Sequence, residues 1–131
     1  MSTQDATPPA GMQALYEKFR YSGATRAGDL LFVSGQVGAR DDGTPEPDFE
    51  KQVRLAFDTL IATLKAEGAS FDDIVDLTTY HIDPEAQLET VVKVRETVIG
   101  KRPPNWTAVG VTWLAGFDFE LKVVARIPQG A

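Results

Sequence analysis

From Phe119 to Ile127 the chain places Phe119, Leu121, Val123, Ala125 and Ile127 at alternate positions. Asp118, Glu120, Lys122 and Arg126 fall on the opposite side of the alternation. Only a β-strand sends successive side chains to opposite faces, so this period of two fixes a strand with one apolar and one polar face. Just upstream a second run alternates, with Trp106, Ala108 and Gly110 on one face and Thr107, Val109, Val111 and Trp113 on the other. Leu114-Ala115-Gly116-Phe117 joins the two runs, and a glycine in so short a connector predicts a hairpin over Pro103 to Arg126. Trp113 is assigned to core packing. A carboxylate inside a half-buried strand needs water or a partner, because an unpaired buried charge is costly. A cleft is therefore expected around Glu120.

The rest of the chain supplies what such a hairpin packs against. Gln13 to Lys18 fits no element clearly. Arg20 to Thr25 reads as a strand and Arg26 to Asp29 as a tight turn. Leu30 to Val33 reads as a buried strand that runs into Ser34-Gly35-Gln36, where the glycine signals a bulge or a close backbone approach. Arg40 to Pro47 is a loop by its prolines and Asp-Gly pair, and Asp41-Asp42 is a solvated pair within it. Asp48 is an N-cap for a helix with Phe49, Val53, Phe57, Leu60, Ile61 and Leu64 on one face. That helix ends near Glu67, with Gly68 as a left-handed cap. Ser70 and Asp73 have capping-box spacing. Ile74 to Ile82 is a third strand. Asp83-Pro84 then opens a second helix, with Leu88, Val91, Val92, Arg95 and Ile99 at helical spacing and Gly100 at its end. The order ββαβαββ predicts an α+β fold, a sheet of four to six strands covered on one face by two helices. Trp106, Ala108 and Gly110 are assigned to the other face, where little charge points to cover by another subunit.

Composition narrows the function. The 131 residues form a single domain, with residues 1–12 read as a flexible lead-in that lacks the marks of a signal peptide. There is no cysteine, hence no disulfide and no thiol nucleophile. His81 is the single histidine, read as a surface or interface residue, which argues against a metal site. No apolar run reaches the roughly 18–20 residues of a membrane-spanning helix. The expectation is a cytoplasmic protein with no membrane partner, no metal and no cofactor. A net charge of −6 argues against a nucleic-acid partner, although Arg20, Arg26 and Arg40 can form a local basic patch. No phosphate-binding glycine loop or nucleophile elbow is present.

Several blocks resemble the YjgF/RidA family, also called the reactive intermediate deaminases. They are GDLLFVSGQVG from Gly28 to Gly38, Gln52-Val53-Arg54, GASFDDIV from Gly68 to Val75, and TAVGVTWL followed by FELKVVA. The resemblance covers about Arg20 to Ile127, nearly the whole chain. It implies a chorismate-mutase-like fold in which three subunits pack their sheets into a central barrel, with clefts between neighbours. It also implies a self-associating homotrimer that binds a small-molecule metabolite and hydrolyses imines or enamines. By position, Tyr21, Ser34 and Gly35 match cleft residues, and Glu120 matches the glutamate that positions water. The family's Pro-x-Arg-Ser/Thr motif is Pro104-Asn105-Trp106-Thr107 here, so Trp106 stands where the carboxylate-gripping arginine is expected. Val92 stands where a cleft asparagine is expected. Losing such a charge partner costs about 2–5 kcal/mol when the pair is buried.

Three readings follow. Glu120 holds water for attack on a C=N bond as a general acid/base, or it is a solvated or salt-bridged strand glutamate. Trp106 stacks on a planar ligand or plugs the cleft. The protein is accordingly an imine or enamine hydrolase or a non-catalytic binding or sensor protein. A ribonuclease, the third reading, is opposed by the acidic charge and the absence of a histidine pair.

Overall fold

The computed structural model describes residues 10–129. Residues 1–9, most of the expected lead-in, lie outside the described residues. Ala10 to Met12 do not continue that lead-in; they open helix α1 (Ala10–Phe19), in which Gly11 and Met12 are buried. A helix this short is marginal alone. Met12, Leu15 and Tyr16 pack against Val37, Ala39, Leu114 and Phe117 in a cluster separate from the main core. Those partners lie far along the chain, which is why Gln13 to Lys18 carry no clear local signal.

Strands β1 (Ala24–Ala27) and β2 (Leu30–Gln36) form the expected antiparallel hairpin, with Gly28 turning at φ 63°. The first strand starts later than Arg20, however. Arg20 adopts φ 58°, and the amides of Arg20 and Tyr21 both donate to the Tyr16 carbonyl, closing α1 instead of extending a strand. Helix α2 (Phe49–Ala66) begins where Asp48 accepts from the Lys51 amide, and Gly68 follows its end at φ 82°. The Ser70–Asp73 capping box closes a single 3₁₀ turn before β3 (Ile74–His81). Helix α3 (Pro84–Val98) starts at Asp83, and its buried residues are Gln87, Val91 and Val94. The helix is rotated relative to the expected stripe, because Val92 is 37% exposed while Gln87 turns inward.

Strands β4 (Trp106–Gly110) and β5 (Phe119–Arg126) complete a five-stranded sheet in the order β1-β2-β5-β3-β4. The expected Pro103–Arg126 hairpin does not form. β5 pairs antiparallel with both β2 and β3, and β4 pairs parallel with β3. β5 is the strand best suited to the centre: Phe119, Leu121, Val123 and Ala125 are all buried, and it has a partner on each side. β4 is reached through the β3–α3–β4 crossover that parallel pairing requires. It occupies the edge, and residues 111–118 carry the chain back across β3.

Register also corrects a face assignment. Trp106 lies opposite Leu77, which is fully buried against the helices, so Trp106 shares the helix-covered face and not the open one. Leu31, Val33, Leu77, Phe119, Leu121 and Val123 from the sheet meet Val53, Phe57, Leu60, Val91 and Val94 from the helices in one core. His81 belongs to this interior at 0% exposure, contrary to the surface reading, with its ring centroid 5.4 Å from that of Phe119. Trp113 is the reverse case at 74% exposure, because it lies beyond the end of β4, where the strand alternation no longer holds. The α+β expectation of one sheet covered by helices stands, with α1 as a third helix. No helix among the described residues is long and apolar enough to cross a membrane.

Candidate functional site

Glu120 and Tyr80 face each other across the β5–β3 pair, on the sheet face opposite the main core. Beside them, β2 breaks register between Val33 and Gln36, and this irregularity brings Gly35 against the glutamate. A Cβ at residue 35 would overlap the Glu120 carboxyl group. The glycine expected to mark a close approach therefore makes room for a functional group, not for backbone.

Tyr21 arrives from the turn after α1. Its ring packs edge-on against Tyr16, with centroids 5.1 Å apart and planes at 84°. Ser34 does not line the cavity. Its hydroxyl donates to the Ser22 carbonyl at 2.7 Å, and its amide donates to the Gly23 carbonyl at 2.8 Å, so it holds the segment carrying Tyr21. Gln36 donates to the Tyr16 hydroxyl at 3.1 Å and ties α1 to the same strand.

The loop between β4 and β5 closes the far wall. Ala115 and Gly116 have φ of 55° and 96°, consecutive positive values of the tight primed turns, and the Phe117 amide donates to the Leu114 carbonyl at 3.0 Å. Buried Gln52 fixes where that loop ends, since its Oε1 accepts from the Asp118 amide at 2.8 Å. Together α1, β2, β3, β5 and this loop enclose a cavity of about 410 Å³. Leu15, Phe19, Tyr21, Gly35, Val37, Tyr80, Val111, Trp113, Leu114, Ala115, Phe117 and Glu120 line it. A larger opening of about 630 Å³ lies elsewhere, walled by Asp72, Asp73, Arg102 and Arg126 among others. It contains none of the cleft residues Tyr21, Ser34, Gly35, Val92, Trp106, Thr107 and Glu120 expected from sequence, and its charges of both signs can neutralise one another.

Among the described residues Glu120 is the only carboxyl group lining the smaller cavity, and no Lys, Arg or His lines it. Burial raises its pKa above the ordinary 4.5, and Lys122 opposes the rise in part. Tyr21 is raised as well, first by burial and then by the neighbouring Tyr16 and Glu120. Among the described residues Glu120 enters no salt bridge. A half-buried carboxylate in such surroundings can accept a proton or hold a water molecule.

Trp106, Thr107 and Val92 are not brought to this cavity within one chain. Trp106 lies under α3, where its Nε1–H donates to Thr79 Oγ1 at 2.8 Å and the Arg95 guanidinium sits 5.0 Å from its ring centroid. Thr79 Oγ1 in turn lies 2.6 Å from His81 Nε2. An indole N–H can only donate, so Thr79 Oγ1 accepts from Trp106, while the direction of its bond to His81 Nε2 is set by the imidazole tautomer. Burial lowers the His81 pKa below 6.5, and nearby Gln87 opposes this in part. Gln87 Oε1 and His81 Nδ1 do not reach ordinary hydrogen-bond geometry. Thr107 is exposed on the opposite face of β4, and Val92 is exposed on α3.

Sequence reasoning missed Tyr80, Phe19 and Arg95. Tyr80 could have been found from the alternation of β3 once its register with β5 was known. Phe19 depends on α1, and Arg95 on the rotation of α3, neither of which has a local signature.

Residues 11–127 match the family model described as Endoribonuclease L-PSP. The RutC family protein YjgH of Escherichia coli is 63% identical over 130 residues, covering 98% of this chain and 99% of that protein. A solved structure of protein YjgH superposes with a TM-score of 0.87 at 63% identity, covering 97% of this chain and 98% of its own. RidA from the Antarctic bacterium Psychrobacter superposes with a TM-score of 0.76 at 25% identity, covering 82% and 88%.

Proposed function

Since this chain belongs to the YjgF/RidA family, described also as Endoribonuclease L-PSP, we propose that it hydrolyses an imine or enamine of a small metabolite in the Glu120 cavity. The observation that carries this reading is the Glu120 carboxyl itself: half-buried, raised in pKa, and given room by Gly35 in a largely apolar cavity. Such a group binds a water molecule, takes a proton from it as the C–O bond forms, and returns the proton to the departing nitrogen. In the family's homotrimer the cavity would open toward a neighbouring subunit, whose Trp106 edge would supply its remaining wall. Exposed Phe19, Tyr21 and Trp113 around the rim favour such cover.

A second reading has its own support. Trp106 is anchored by Thr79 and covered by Arg95, so it is held as a fixed surface, which suits a binding or sensor protein whose cleft fills without turnover. Ribonuclease activity fits least well. The net charge is −6, and the one histidine is sealed in the core away from the cavity.

The test is ammonia release from 2-iminobutanoate, generated in place by a threonine dehydratase, with the parent protein and with Glu120→Gln. Acceleration by the parent and its loss in the variant support hydrolysis. If the parent binds a ligand in this cavity but accelerates no imine, the binding reading replaces it.

A further inference from the structure

The charge of the cavity does not match a carboxylate-bearing substrate. The ring-bearing residues Phe19, Tyr21, Tyr80, Trp113 and Phe117 contribute to the lining, and among the described residues lining it the one group that can carry a full charge at neutral pH is Glu120. An anionic ligand entering here meets a negative group and aromatic faces, whose quadrupoles also repel anions. A cation meets the reverse on both counts. We propose that this cavity selects a small organic cation, specifically an iminium ion that carries no carboxylate.

The proposal rests on the hydrolase reading of the same site and names its substrate class. The reaction is R–CH=NH₂⁺ + H₂O → R–CHO + NH₄⁺. The water oxygen bonds to carbon, the C=N π pair moves to nitrogen, and Glu120 relays one proton from water to nitrogen; as the C–N bond breaks its pair leaves with ammonia, C=O forms, and the remaining hydroxyl proton passes to the ammonia. No oxidant is consumed, because the iminium arrives already formed. The reaction that supplies it is therefore the oxidation of a primary amine, not the elimination that yields 2-imino acids.

Four cations bear on this, and the first, Arg20, lies between the lining residues Phe19 and Tyr21 but is exposed and outside the lining. Lys122 is exposed on β5 and tempers Glu120 without lining the cavity. Lys18 sits 5.3 Å from the Phe19 ring centroid, also outside the lining. Arg95 would approach on a neighbour's Trp106 edge; one of its terminal nitrogens is already 3.0 Å from Glu96 and its guanidinium carbon lies 5.0 Å from the indole centroid, but its Nε has no hydrogen-bond partner among the described residues. Arg95 is the group that could reverse the selectivity, so its variant belongs in the test.

The experiment is calorimetric binding of benzylammonium, benzoate and benzyl alcohol to the full-length protein. Benzylammonium is expected to bind about tenfold or more tightly than benzoate, the scale of one desolvated cation–aromatic or ion-pair contact. In Glu120→Gln that preference should shrink to what the aromatic faces alone supply. Benzoate binding as tightly as benzylammonium would overturn the proposal, and loss of that binding in Arg95→Gln would assign the grip to Arg95. A parallel assay compares ammonia release from an arylalkyl aldimine, produced by an amine oxidase, with release from 2-iminobutanoate. Preference for benzylammonium without turnover of either imine would reject hydrolysis and retain the cation site. Faster turnover of 2-iminobutanoate would retain hydrolysis and reject the substrate class.

Discussion

Two polar groups leave the surface of this sheet on opposite faces, and they are treated in opposite ways. On the helix-covered face, Thr79 links His81 to Trp106 through contacts of 2.6 and 2.8 Å, so the buried imidazole and the indole both have a partner. On the other face, the Glu120 carboxylate is desolvated with no partner among the described residues to offset it, apart from the distant pull of Lys122. A buried network bonded through Thr79 fixes structure even though His81 Nδ1 and Gln87 Oε1 beside it find no hydrogen-bond partner among the described residues. An unsatisfied group is costly to retain for structure alone and is the natural place to look for chemistry. The first region holds the fold, and the second awaits something from outside it.

The largest effect expected from breaking this contrast is on the first region. Thr79→Val keeps shape but strands the partners on either side, at about 1–3 kcal/mol for each group left unsatisfied. Denaturant unfolding should show a lower midpoint with an unchanged slope.

The pH dependence of stability should separate the two regions by sign. His81 has a folded pKa below its ordinary 6.5, so its contribution is present above that value and is lost as pH falls through and below it. Glu120 has a folded pKa above its ordinary 4.5, so its contribution is present below that value and is lost as pH rises through the folded pKa. Glu120→Gln should therefore gain stability over the parent at pH 7 and lose that advantage in acid. His81→Gln should behave otherwise, since it removes the Thr79 contact at every pH. Thermal melts across pH 4 to 8 would show whether the two curves diverge as stated.

Trp106→Arg sharpens the contrast from the side of the missing cation. Placing a guanidinium at residue 106 sets it against Arg95, 5.0 Å from the present indole, and removes the donor to Thr79. The single variant should lose about 1–2 kcal/mol of stability, within the range typical of point mutants, and gain no turnover of 2-iminobutanoate. Trp106→Arg combined with Arg95→Gln should recover stability and gain turnover. Ammonia release and melting temperature on the two variants check both statements.

The smallest structural effect is expected at Gly35. Gly35→Ala would meet the far end of the Glu120 side chain, which can swing away, so stability should change by less than about 1 kcal/mol. Ligand binding should nevertheless fall, because the carboxyl group is displaced. Calorimetry with benzylammonium would register that loss.

These differences also explain what could be read in the sequence. Asp48, Asp83-Pro84 and the Ser70–Asp73 box act within a few residues, and the structure keeps each of them as expected. The alternation along β5 is equally local and sets its buried face. Which strand lies beside β5 is not local: β4 precedes it closely in the chain, yet pairs with β3. The face of Trp106 and the burial of His81 follow from that pairing and could not be read without it. Helix α1 is the extreme case, since the partners of Met12, Leu15 and Tyr16 include Leu114 and Phe117 near the other end of the chain. At the candidate site, Glu120 and Gly35 were legible because a charge in a strand and a glycine in a strand are both anomalies. Tyr80 and Phe19 were not, because aromatic residues in such positions are ordinary until the cavity is seen.

The most direct test of this account is a carboxyl-carbon NMR titration of Glu120, in the free protein and with benzylammonium present. The account predicts a pKa above 4.5 in the free protein, falling when the amine is added, because an outside cation supplies the partner the chain does not. An ordinary or depressed value in the free protein, unmoved by the amine, would mean that Glu120 is already satisfied and that this cavity is not the site.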